Sequence, residues 1–385
     1  MFSSPIFLAI AITLSVLLLL QLVALMVTWL RTPSWSASRT ERYKRNPGFA
    51  GGRFSPPPGA VMFKRPENMM KLLKRMIFGG EVRRPKEPLV IVRPAPDHFT
   101  EPRDLRLTWL GHSSVIIEIE GKRVLTDPVF NKRCSPVPFA GPSRFHAPPL
   151  PLDALPKLDA VIISHNHYDH LEKSTVRHLA ATGVPFFVPL GVGFYLAKWG
   201  VKASQIHELG WWESGLVAGL TITAAPAAHF SQRAFEFSNR TLWASFAVAG
   251  DAQRVYFGGD SGWFPGYGEI GQRLGPFDVT MLEIGAFDEA WGTIHLGPRN
   301  AVRAHKALSG HIFMPIHYGT FSLALHAWDA PPEEVLKLSG EENITLALPG
   351  PGQSWELRNP PSHPWWRQTP ADGTVDESEE LPSRG

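Results

Sequence analysis

The segment Ser164-His165-Asn166-His167-Tyr168-Asp169-His170-Leu171 constrains this chain more than any other. Three imidazoles and one carboxylate fall within six residues, directly after the apolar run Leu158-Asp159-Ala160-Val161-Ile162-Ile163. The run reads as a buried strand, and layered α/β folds place their active sites at the C-terminal ends of strands. His165 and His167, two apart on an extended turn, point the same way and can share one metal ion. Asp169 and His170, where the next helix opens, can hold a second. A solvated polar loop could carry the same residue types, but more ligand-type residues follow downstream.

Those residues come one per strand end. The run Leu220–Ala228 leads to His229, Arg254–Gly259 to Asp260, and His311–Ile316 to His317. Each run is apolar enough to be a buried strand. A single polar residue at one strand end is ordinary. Several on one sheet edge, beside the His165 to His170 motif, indicate a metal centre.

This pattern resembles the metallo-β-lactamase superfamily, and within it the N-acylphosphatidylethanolamine-hydrolysing phospholipase D branch and its bacterial relatives. The resemblance rests on Thr108–His112, Leu125–Phe130, Gly141-Pro142-Ser143-Arg144-Phe145, the His165 to His170 motif, Phe257–Gly262 and Ile316–Phe321. It covers roughly residues 105 to 330. It implies an αββα sandwich holding two zinc ions, with iron or manganese as alternatives because the same ligands accept all three. His165, His167 and His229 would hold one ion. Asp169, His170 and His317 would hold the other, and Asp260 would bridge them. Two such cations about 3.5–4 Å apart can share a hydroxide formed near neutral pH. Asp169 and His295 are the residues to which the resemblance gives catalytic roles. His295 would meet the phosphate head group, although Ile294 stands where animal members of the branch carry a polar residue. Asp127 and His112 are expected to support the ligands from behind, and Tyr168 to line the site or pack beside it. Several true β-lactamases place a Cys among their ligands. The only cysteine here, Cys134, is far from the ligand runs in sequence. The remaining histidines, His146, His305 and His326 among them, carry no motif and read as ordinary residues.

The ends of the chain bear on location. Ile6 to Leu30 carry no charge, and Arg31, Arg39, Arg42, Lys44 and Arg45 follow. About 20 apolar residues span a bilayer as a helix. The expectation is therefore a single-pass anchor over 1–30, with the catalytic domain on the cytoplasmic side of the cell membrane. A Pro/Gly-rich, basic linker would occupy 31–100. Within it Glu67 to Phe78 reads as a short amphipathic helix, fit either for an anionic membrane surface or for packing on the domain. The catalytic domain would span 101–358. The acidic, Pro-rich stretch 359–385 reads as an unstructured tail.

A net charge of +3 is too mild for a nucleic-acid channel, so no nucleic-acid partner is expected. The resemblance suggests a homodimer. The resulting expectation is a phospholipase D-type phosphodiesterase acting on a phospholipid at a membrane, releasing N-acylethanolamine and phosphatidic acid. Two alternatives stay open. One is a hydrolase of another ester, such as a lactone or a cyclic or sugar phosphate. The other is a catalytically silent, membrane-tethered binding protein.

Overall fold

In the computed structural model the described residues are 36–61, 78–95, 97–233, 238–288 and 292–368, with 12–16, 18, 19, 21, 70, 74 and 75 besides. Two seven-stranded mixed sheets form the body. The first has the order β14-β1-β2-β3-β4-β5-β6, from β1 (Leu105–Trp109), β2 (Val115–Ile119), β3 (Lys122–Thr126), β4 (Ala160–Ile162), β5 (Phe186–Pro189), β6 (Ile206–Leu209) and β14 (Ser354–Glu356). The second has the order β13-β12-β11-β10-β9-β8-β7. It contains β7 (Ser214–Val217), β8 (Leu220–Ala225), β9 (Ser245–Ala249), β10 (Arg254–Phe257), β11 (Phe277–Glu283), β12 (Gly310–Ile316) and β13 (Thr345–Leu346).

Side-chain alternation assigns the layers. In β2, Val115, Ile117 and Ile119 join the central core, while Ile116 points to the outer face with Leu125 of β3 and Val161 of β4. A period of two is what a strand covered on both faces requires. The outer face of the first sheet is closed by the helices Lys173–Ala181 and Gly193–Lys198, through Val176, Leu179, Tyr195 and Leu196. The helices Tyr267–Leu274, Gly297–Ala307 and Ala330–Glu341 contribute Ile270, Ala301, Val302, Val335 and Leu338 to the main core. The result is the expected αββα sandwich.

In the second sheet β10, β11 and β12 run parallel, and β8 and β10 each pair antiparallel with β9. All four therefore point the same way. Their C-terminal ends, carrying His229, Asp260, Glu283 and His317, lie on one edge of the sandwich. The turn after β4 in the first sheet meets them there.

Three expectations about the chain ends are corrected. Among the described residues, no helix is long and apolar enough to cross a membrane. This corrects the cell-membrane location; the single-pass anchor over 1–30 falls mostly on residues outside the described ones. Second, the segment expected as a linker is docked where it is described. Tyr43, at the end of the helix Ala37–Tyr43, and Phe54 are buried in the main core, with ring centroids 5.7 Å apart. Asn46 Oδ1 accepts the Trp211 N–H at 2.9 Å. Most of Glu67 to Phe78 lies outside the described residues. Residues 359–368, expected within the tail, are docked too. Trp365 and Trp366 are buried, and Trp365 Nε1 donates to the Tyr318 hydroxyl at 3.3 Å. Aromatic anchors inside Pro- and Gly-rich segments outweighed the composition around them.

Candidate metal centre

The turn after β4 brings its ligands in by a tight backbone. His167 O accepts the N–H groups of His170 and Leu171 at 3.2 and 2.9 Å. Two clusters result. In the first, His167 Nδ1 lies 2.8 Å from His165 Nε2 and 3.4 Å from His229 Nε2. Asp260 Oδ2 is 3.8 and 3.7 Å from those two Nε2 atoms. In the second, Asp260 Oδ1 is 3.2 Å from both His170 Nε2 and His317 Nε2, and Asp169 Oδ2 is 3.4 Å from each. Asp260 thus faces one cluster with each oxygen.

Both clusters fit a divalent cation. Four ligand atoms about 2.1 Å from a tetrahedral ion stand about 3.4 Å apart. The observed separations lie around that value. His170 Nε2, His317 Nε2 and Asp260 Oδ1 are also buried without a hydrogen-bond partner. Orphaned polar atoms of this kind are costly unless something completes them.

Other side chains fix the ligands. Asp127 is fully buried. Its Oδ2 accepts His170 Nδ1–H and Ser164 Oγ–H, both at 2.6 Å, and its Oδ1 accepts the Ser164 N–H at 2.7 Å. Ser164 Oγ in turn accepts His165 Nδ1–H at 2.9 Å. One carboxylate therefore orients a ligand of each cluster and leaves both Nε2 lone pairs facing inward. His229 Nδ1–H donates to Ile294 O at 2.9 Å. His112 Nε2 lies 3.1 Å from Asp169 Oδ2, with its ring 4.0 Å from that of His317. Three of these residues, His112, Asp127 and His317, hold left-handed backbone (φ 52°, 32° and 63°). Such strain in non-glycine residues gathers where a site needs it. Tyr168 lays its ring 3.9 Å from the Arg233 guanidinium carbon and packs beside Val129, Cys134 and Phe321.

The electrostatics differ across the centre. Burial lowers His165 and His229 far below the usual imidazole range, and brings His167 down to about 4. His170 goes the other way. Burial opposes its charge, but Asp260, Asp169 and Asp127 outweigh it and raise it far above that range. His317 rises to about 10, with Asp260 and Asp169 again outweighing burial.

His295 sits at the rim. Its ring is 5.2 Å from that of His229, and its Nδ1 is 3.9 Å from Asp260 Oδ2. Nδ1–H donates to Glu283 Oε2 at 2.5 Å, which turns Nε2 away from Glu283. Glu283 was not singled out from the sequence. It ends β11, is fully buried, and its Oε1 accepts the N–H of Ser261, next to Asp260, at 2.6 Å. The signal was available: an acidic residue closing an apolar strand between the strands that end in Asp260 and His317. Cys134 lies outside both clusters, and burial pushes its thiol up.

A family model described as a beta-lactamase superfamily domain matches residues 122–318, the span from β3 to His317 and Tyr318. The chain belongs to that superfamily. An uncharacterized protein of Mycobacterium tuberculosis is 43% identical over 332 residues, 84% of this chain and 88% of the relative. The N-acyl-phosphatidylethanolamine-hydrolyzing phospholipase D 1 of Caenorhabditis elegans is 37% identical over 277 residues, 68% of this chain and 78% of that enzyme. Among solved structures, a metallo hydrolase of the archaeon Ignicoccus hospitalis overlays with a TM-score of 0.51 at 24% identity. It covers 66% of this chain and 98% of its own, a likeness of fold. The protein is accordingly a metal-dependent hydrolase of the metallo-β-lactamase superfamily, with His/Asp clusters suited to metal.

Proposed function

We propose that this hydrolase is a phosphodiesterase of phospholipase D type, acting on N-acylphosphatidylethanolamine-like lipids to give N-acylethanolamine and phosphatidic acid. The observation that carries the reading is the pair of clusters joined through the two oxygens of Asp260, with His295 at the rim. The nematode relative with that named activity, matched over more than two thirds of this chain, supports the substrate class.

In this reading His165, His167 and His229 hold one zinc ion and Asp169, His170 and His317 the other. Bound zinc would supply an activated water and a Lewis acid for the phosphoryl oxygens. The chain's own residues do the rest. Asp127 fixes His165 and His170, His112 fixes Asp169, and Glu283 holds the His295 ring so that Nε2 can meet the phosphoryl group or the departing alcohol.

The test is a lipid digest read by mass spectrometry. Purified full-length protein in detergent is mixed with N-acylphosphatidylethanolamine and with phosphatidylethanolamine. Asp169→Asn and chelator-treated samples run beside it. N-acylethanolamine and phosphatidic acid should form with the native protein and be absent from both controls. No product from a zinc-loaded protein would remove the lipid reading, and lactones and small phosphodiesters would be tried next.

A further inference from the structure

The four ligands between His165 and His170 sit on a turn too short to satisfy its own carbonyls. Ser164 O accepts the Ala244 N–H, and His167 O accepts from within the turn. Asn166 O and Leu171 O are met by a single side chain. Arg233 Nη1 donates to each at 2.8 Å and reaches toward His167 O at 3.5 Å. Its guanidinium carbon lies 3.9 Å from the Tyr168 ring centroid, 5.3 Å from that of Trp199 and 5.9 Å from that of Tyr195. Asn166 Nδ2 donates to the Tyr195 hydroxyl at 3.3 Å, closing the same assembly. Arg233 is only 7% exposed and stands four residues after His229.

We propose that Arg233 is a further positioning residue of the metal centre: its guanidinium joins the turn carrying His165 and His167 to the segment carrying His229. The three imidazoles of the first cluster come from those two segments alone. Their mutual geometry therefore depends on whatever ties the segments together. Arginine suits the task where lysine does not. One guanidinium nitrogen donates to both carbonyls while the planar face of the group stacks on an aromatic ring, whereas an ammonium has no planar face to stack and sits on a flexible stem.

This inference rests on the metal-centre reading and not on the lipid substrate. The test is zinc binding by the full-length protein, measured in competition with a chromophoric chelator. The thermal midpoint of the metal-free protein is followed alongside. Arg233→Lys should weaken zinc binding roughly 10- to 100-fold, the usual effect of losing an outer support. Zinc affinity equal to the wild type's in a folded Arg233→Lys protein overturns the proposal, even if its metal-free midpoint falls, because that result describes a packing residue. If Arg233→Lys does not fold, Tyr168→Leu decides. Removing the ring over the guanidinium should weaken zinc binding less, but in the same direction, and unchanged binding overturns the proposal. A wild type that binds no zinc would defeat the metal-centre reading itself.

Discussion

The two halves of the metal centre share Asp260 and differ in almost everything else. The first half offers three imidazoles and one carboxylate oxygen, with the Arg233 cation behind its turn. The second offers two imidazoles and oxygens from two carboxylates, with Asp127 behind His170. Proton affinity reports the contrast. Burial keeps the imidazoles of the first half neutral, whereas carboxylates draw protons to His170 and His317 in the second. Two carboxylates face the second ion, against one shared carboxylate at the first, and that charge favours a divalent cation there. The second half should therefore bind its ion more tightly and the first should be the exchangeable one.

The largest effect should come from the shared ligand. Asp260→Asn removes the charge that both halves use, so activity should fall by about 1,000-fold or more, with at most one ion retained. Next is the orienting carboxylate. Asp127→Asn should cost roughly 10- to 100-fold in metal affinity, and both halves should suffer because His165 and His170 hang from the same group. Loss confined to one half would break the account of Asp127. A sharper test of the asymmetry compares single ligands. At equal chelator concentration His229→Ala should keep about one ion per chain, and His317→Ala should keep less. The reverse order would show that charge does not rank the halves.

At the rim, metal content should not change. His295→Gln and Glu283→Gln should lower kcat by about 100-fold while zinc stoichiometry stays at the wild-type value, because neither is assigned as a ligand. The smallest effect lies away from the centre. His305, whose Nδ1 is 2.7 Å from Thr280 Oγ1, is lowered to about 4 by burial. Its unfolded form protonates near pH 6.5 while the folded form resists. Its contribution to stability is thus complete above about pH 6.5 and is lost as pH falls toward 4. Denaturant titrations should show stability falling over that window, with a shallower slope for His305→Gln.

The strands that were legible in the sequence are those with apolar faces to bury. The apolar runs Leu158–Ile163, Leu220–Ala228, Arg254–Gly259 and His311–Ile316 fall on β4, β8, β10 and β12. No such run marks β6, β7 or β14, which all lie at sheet edges. An edge strand buries less, so Ile206-His207-Glu208-Leu209 and Ser214-Gly215-Leu216-Val217 carry little periodic signal. The helix Tyr267–Leu274 carries a weak sequence signal for another reason. Gly268 and Gly271 lower its propensity. Gly271 is there because a Cβ would stand 2.4 Å from Ala307 O of the neighbouring helix. The ligand-type residues could be read because each of His229, Asp260 and His317 breaks an apolar run at its C-terminal end, where a core would favour another apolar side chain. Glu283, which closes an apolar strand, offered the same signal, but Arg233 did not, because its partners are carbonyls and ring faces that only the folded chain brings together.

The most direct test of the central claim is the zinc content of the full-length protein, loaded with excess zinc, desalted and analysed by mass spectrometry against protein concentration. Two clusters joined by Asp260 predict about two ions per chain, falling to about one in His229→Ala. A single ion per native chain that His229→Ala leaves in place would contradict a paired centre and the chemistry built on it.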